Sequence, residues 1–227
     1  MVRSRIRIAI GIIVLVVVAA VAASALSNLG LPTRSEIVER LSAAEKARLA
    51  EALHLRESLG DQVWVGWGQA DIPLIVYNES YAFLVAYPQD EDLPAGWVKV
   101  PHDEERGGAW ERVPHDTFQG RPYYRQRLPD PDITPENFTV RVGDHWAATM
   151  QTREYAKVAF FNGFRSDLPP FLRPIVPYRL IWELLLGATE TYVGGLAHES
   201  FHAYQGMEAP ERLAVAEFAA RLENRYP

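Results

Sequence analysis

The sequence predicts an α+β protein with an apolar N-terminal helix, a middle region of short strands forming an antiparallel sheet, and helices towards the C-terminus. Three observations predict this. Nineteen uncharged residues run from Ile8 to Leu26, β-rich segments broken by Gly and Pro fill Gln62 to Thr152, and apolar spacing turns helical from Tyr178. The natural segments are therefore 1–27, an anchor; 28–60, a linker and amphipathic helix; 61–152, an antiparallel β-rich region; and 153–227, a helical region.

The first segment reads as a transmembrane helix. A helix rises about 1.5 Å per residue, so nineteen residues span roughly 28 Å, close to a bilayer's hydrocarbon core. Arg3, Arg5 and Arg7 precede the run, and the first acid after it is Glu36. The positive-inside rule keeps these arginines cytoplasmic and expects a single-pass protein of the cell membrane, held through residues 8–26, with its C-terminal domain extracytoplasmic. A cleaved signal peptide is the alternative, since Ala23-Ser24-Ala25 fits a small-x-small site.

Composition narrows the chemistry. The 227 residues hold 23 Lys plus Arg against 29 Asp plus Glu, a formal charge of −6, which excludes a generally basic nucleic-acid binder. Beyond the anchor the balance is 20 to 29, and a domain at −9 is expected to avoid an anionic leaflet. There is no Cys, so disulfides, thiolate metal sites and Cys nucleophiles are excluded, and any metal must be held by His and carboxylate.

A helix is expected from Ser35 to Leu59, with Ile37, Leu41, Ala44, Ala52, Leu55 and Leu59 along one face and Gly60 ending it. Ser42 and Glu45 have capping-box spacing if the segment breaks there. Strands are expected at 62–67, 73–77, 81–87, 97–101, 110–114, 138–142 and 145–151, with turns at Asn78-Glu79-Ser80 and Gly143-Asp144. Within them Trp97-Val98-Lys99-Val100-Pro101-His102-Asp103 recurs as Trp110-Glu111-Arg112-Val113-Pro114-His115-Asp116. A duplicated His-Asp pair is one way to hold a metal, but Pro and Asp mark where a strand meets a turn, and His102 and His115 read as surface groups. The paired Trp either cover one sheet face or line a cleft. Pro169, Pro170, Pro174 and Pro177 forbid a regular element before helical pattern resumes from Tyr178 to Gln205, and Pro210 opens a last amphipathic helix.

The chemistry concentrates in Gly194-Gly195-Leu196-Ala197-His198-Glu199-Ser200-Phe201-His202-Ala203-Tyr204-Gln205-Gly206, which contains His-Glu-x-x-His. On a helix, His198 and His202 lie one turn apart and point the same way, able to grip one zinc ion at about 2.1 Å. Glu199 stands about 100° round from His198, placed for the metal-bound water rather than the metal. Zinc lowers that water's pKa to about 7, and the carboxylate takes its proton as it attacks a carbonyl. Gly194 and Gly195 leave room beside the metal, and Gly206 reads as a C-cap.

This segment resembles the active-site helix of the zincin metallopeptidases. The resemblance covers about ten residues and implies a mixed sheet, a His-bearing helix beneath it, and a third ligand from a later helix. No His follows His202, so the resemblance narrows to the gluzincin arrangement, in which a Glu completes the site. Glu217 and Glu223 are the candidates, and Glu223 is preferred because it lies beside the apolar stripe of Val215, Phe218, Ala219 and Leu222 at a spacing nearer the gluzincin habit. A C-terminally truncated chain, with its true ligand beyond residue 227, is the other expectation. Glu190 is a candidate partner for an imidazole, and His145 a candidate neighbour of a cleft.

The expected function is a membrane-anchored, extracytoplasmic peptidase, with His198, His202 and Glu223 holding Zn2+, Glu199 as general base, and a peptide or protein as substrate. The alternative is a single-pass membrane protein whose outer domain is a non-catalytic binding or assembly module with a degenerate metal site.

Overall fold

The computed structural model describes residues 2–88, 92–99, 105–128, 138–212 and 215. In chain order the elements are α1 (Val2–Ser27), α2 (Ala43–Val63), β1 (Leu74–Tyr77), β2 (Tyr81–Val85), β3 (Ala95–Lys99), β4 (Glu105–Ala109), β5 (Glu111–Arg112), β6 (Tyr124–Arg127), β7 (Phe138–Val142), β8 (His145–Gln151), α3 (Arg153–Asp167), α4 (Tyr178–Leu185) and α5 (Thr189–Glu208). They form two compact units. One comprises Met1–Arg34 and Lys157–Ala188, the other Ser35–Ala156 and Thr189–Pro227.

The larger unit is built on one eight-stranded sheet in the order β4-β3-β7-β8-β1-β2-β6-β5. Every pairing is antiparallel except β1 with β8, where Leu74 to Tyr77 run parallel to Ala148 to Gln151. The sheet curls until β4 approaches β6, and the Gly108 amide donates to Gln126 Oε1 at 2.6 Å. At Gly107, with φ +85°, an added Cβ would lie 2.4 Å from the Trp97 ring, so closure there requires glycine.

Alternation along the strands divides the core in two. Leu74, Val76, Phe83, Val85 and Ala148 face the helices, joining Leu49 and Leu53 of α2 and Val193 and Leu196 of α5. Ile75, Tyr77, Leu84, Val140 and Ala147 face the other way, with the repeated pair Trp97 and Trp110 packed among them at 6.1 Å between ring centroids. The repeat therefore fills a core rather than lining a cleft. His115 is exposed, and Asp116 accepts hydrogen bonds from Tyr123 and Lys46. His102 and Asp103 lie outside the described residues.

Several boundaries depart from the sequence expectation. Residues 35–42 are not helical. The helix begins at Ala43 with Ser42 as its cap, Oγ accepting from the Glu45 amide at 3.1 Å. It continues through Gly60 to Val63, so 62–67 is helix end and turn instead of strand. The helical stretch from Tyr178 breaks at 186–188. In both places local polarity looked continuous, and tertiary packing decided where the helix stops.

Only half of the capping box forms, because the Glu45 side chain is drawn inward. Its carboxyl is buried at 2 % exposure and meets the Tyr192 hydroxyl, the Arg153 amide and Arg48. Burial raises its pKa above the ordinary Glu value, a push only partly offset by the hydrogen bond from Tyr192, then that of the Arg153 amide and then Arg48. Tyr192 Oη also lies 2.9 Å from the Gln151 carbonyl, and a hydroxyl carries one proton. The Tyr192 hydroxyl is thus shared between the Glu45 carboxyl and the Gln151 carbonyl.

A raised carboxyl pKa means the folded state holds a proton the unfolded chain has lost. Stability from this group is thus fully present below the unfolded value and declines as pH rises towards the folded one. Glu45→Gln is expected to flatten the fall in stability as pH rises above ~4, the unfolded-state value. Thermal unfolding from that pH upwards checks it, and parallel profiles for the two proteins would contradict it.

Candidate functional site

Helix α5 carries the His-Glu-x-x-His segment and packs against β8 and α2, all within the larger unit. Its apolar side, Tyr192, Val193, Leu196, Ala203 and Tyr204, is buried. Tyr204 Oη donates to the Val65 carbonyl at 2.8 Å, tying the turn after α2 to this helix. Phe201 lies under Trp64 and Trp67, with ring centroids at 6.2 and 5.0 Å. Trp64 and Val65 themselves remain exposed, forming an apolar ledge beside the histidine face.

Two glycines set the rotation of α5 on the strand. A Cβ at Gly206 would stand 2.4 Å from the Trp146 ring, and one at Gly195 would stand 3.0 Å from Met150 Cε. Trp146 and Met150 share one face of β8. Gly206 is thus inside the helix as a seat for Trp146, not the C-cap the sequence led us to expect, and Gly195 makes room for Met150. A Cβ at Gly194 would meet nothing within 4 Å. Glu199 falls on the same stripe as Gly195 and Gly206, which turns it towards β8 and leaves His198 on the solvent side.

The two imidazoles converge. His198 Nε2 and His202 Nε2 are 3.0 Å apart, and the rings meet edge to face at 81°. Two nitrogens of a tetrahedral zinc site with bonds of about 2.0–2.1 Å stand about 3.3–3.4 Å apart, so the pair fits a shared cation within a few tenths of an ångström. His202 Nδ1 is 2.9 Å from Gln205 Oε1. With that carbonyl as acceptor, Nδ1 carries the proton and Nε2 keeps its lone pair free for a ligand. Gln205 fills the role the sequence offered to Glu190. Its signal was readable, since it lies three residues after His202 on the same face.

Glu199 is half-buried, and desolvation raises its carboxyl pKa above the ordinary Glu value, opposed by His202 and then His198. Ser200, between these residues, is buried and lies 3.5 Å from Arg56 Nη1, which also donates to the Ile72 carbonyl at 2.8 Å. Sequence reading missed Arg56, because a lone Arg on a helix gives no sign of burial.

The remaining expected groups are not brought to this pair. His145 sits against Tyr87, with its Nδ1 3.9 Å from Asp71 Oδ2. Glu190 is exposed in the first turn of α5. Glu217 and Glu223 lie outside the described residues, and among the described residues no group of three His, Asp or Glu is assembled for a metal. Compared with protein-family profiles, curated proteins and solved structures, the chain matches none.

The seating of α5 yields a paired prediction. Gly194→Ala is expected to stabilise the fold by up to about 1 kcal/mol through helix propensity. Gly206→Ala is expected to destabilise it relative to that variant by about 1–3 kcal/mol, because the Trp146 ring must move. Chemical denaturation of both variants checks this, and equal effects would contradict the proposed seat.

Proposed function

We propose that this chain is a membrane-anchored, extracytoplasmic zinc-dependent peptidase of zincin type. The observation that carries the reading is the convergence of His198 and His202 at 3.0 Å, with Gln205 fixing the His202 tautomer. His198 and His202 are the residues that would hold the metal, and Glu223 is proposed to complete their set. Bound zinc supplies Lewis acidity that activates water and polarises a carbonyl.

The chain's own groups do the rest. Glu199, one residue from the first ligand and turned towards β8, takes the proton from the attacking water and delivers it to the leaving amine. His202 is kept in register by Gln205. Trp64 and Val65, exposed beside Phe201, offer apolar surface to side chains of an extended peptide. In α1, Arg5–Ser27 is one helix long and apolar enough to cross a membrane or to serve as a signal sequence. The retained anchor, with the arginines inside and the sheet unit outside, follows from the positive-inside rule.

One observation favours a second reading. Among the described residues His198 and His202 have no acidic third ligand, as a binding or assembly module with a degenerate metal site would have it.

Hydrolysis separates the two. Full-length protein in detergent is assayed on an unfolded, fluorescently quenched protein substrate beside Glu199→Gln. The expected outcome is a loss of at least about 100-fold in rate with metal content unchanged. Equal rates in the two proteins would exclude Glu199 as the base, and no hydrolysis in the parent would favour the module.

A further inference from the structure

Besides α1, the smaller unit carries an exposed apolar face on α4. Within this unit, α3 and α4 pack through an aromatic cluster, Phe160 on Trp182 at 5.5 Å and Phe164 on Tyr178 at 5.8 Å. That contact consumes only one face of α4. Leu180, Leu184 and Leu185 are left 56, 74 and 67 % exposed, and Phe171 in the preceding turn is 74 % exposed. Four large apolar side chains left exposed within one short stretch need a partner.

The position of α4 against α1 says which partner. Asn28 Nδ2 donates to the carbonyls of Pro174 at 3.0 Å and Val176 at 2.8 Å. Arg179 donates through Nε to the Ser27 carbonyl at 3.0 Å and through Nη2 to Gly30 at 3.1 Å. These bonds tie 174–179 to the end of the apolar helix, and Arg179 caps the Ser27 carbonyl. From there α4 turns back alongside α1, so that Leu180 shares a groove with Ala20, Val21, Ala23 and Ser24. Ala20 lies about 10 Å along the helix axis before Ser27, a depth that belongs to the headgroup and upper acyl region of a bilayer.

Charge agrees. Outside α1 this unit holds five basic residues, Arg34, Lys157, Arg165, Arg173 and Arg179, against two acidic ones. The larger unit holds 15 basic against 27 acidic. The −9 read from the sequence is the sum of a +3 unit and a −12 unit, and the first is the one that contains α1. Arg173 and Arg179 bond to neutral carbonyls, so their charge stays available to anionic headgroups.

We propose that residues 171–186 lie in the bilayer interface, with Phe171, Leu180, Leu184 and Leu185 among lipid acyl chains and Arg173 and Arg179 at the headgroups. This rests on α1 being a retained membrane helix.

The chain has no Cys, so single-cysteine labelling is clean. Leu180→Cys, Leu184→Cys, Val14→Cys and Glu51→Cys, each in the full chain, are labelled with an environment-sensitive fluorophore. They are reconstituted in vesicles of phosphatidylcholine and phosphatidylglycerol carrying a shallow doxyl-labelled lipid. The expected result is lipid quenching at Leu180 and Leu184 at least about twice that at Glu51, with Val14 quenched as well. Quenching at Val14 but not at Leu180 or Leu184 would overturn this inference and leave the anchor standing. No quenching at any site would overturn both. Leu180 and Leu184 probes shielded from aqueous iodide yet unquenched by lipid would mean a protein covers α4, and would also overturn it.

Discussion

The contact of α5 with β8 is the constraint on which the candidate site depends. A helix on a sheet can rotate about its own axis until bulky side chains stop it. Here Trp146 and Met150 rise from one face of β8 and fit where Gly206 and Gly195 carry no side chain. That choice of rotation buries Leu196, Ala203 and Tyr204, turns Glu199 towards the strand, and leaves the two imidazoles at the surface with their Nε2 atoms facing each other. Had alanine stood at Gly206, the Trp146 ring would have had to move out of its seat, and the stop that sets this rotation would have been lost.

The same helix links the site to the fold's buried polar groups. Tyr192 reaches Glu45 and the end of β8, while Ser200 meets Arg56. Both Glu45 and Arg56 come from α2, so the two helices that flank the sheet's face are joined by polar contacts beneath an apolar layer. Burial works against the charge on each, raising the Glu45 pKa and lowering that of Arg56. Such groups are costly to leave half satisfied, and they hold the two helices to a single register.

Much of this was legible in the sequence where a periodic pattern met a local signal. The apolar run of α1, the β1–β2 turn at Asn78 and the β7–β8 hairpin at Gly143 all stand where alternation and turn chemistry put them. So does α5 with its two histidines on one face. What was not legible depended on distant partners. The parallel pairing of β1 with β8 has no local signature, because both strands read as short apolar runs. Gly206 looks like a helix end until Trp146 is seen against it. The charge of residues 28–227 appeared uniformly acidic because residues 157–188, which join Met1–Arg34 in one unit, are far from them in sequence.

The proposed chemistry requires that His198 and His202 share a cation. Zinc per chain, measured by elemental analysis on full-length protein in detergent, tests it most directly beside the His198→Ala/His202→Ala double variant. Close to one zinc per chain is expected in the parent and a background level in the variant. Equal zinc in the two proteins, or none in either, would contradict it and leave the pair as two hydrogen-bonded histidines on a helix.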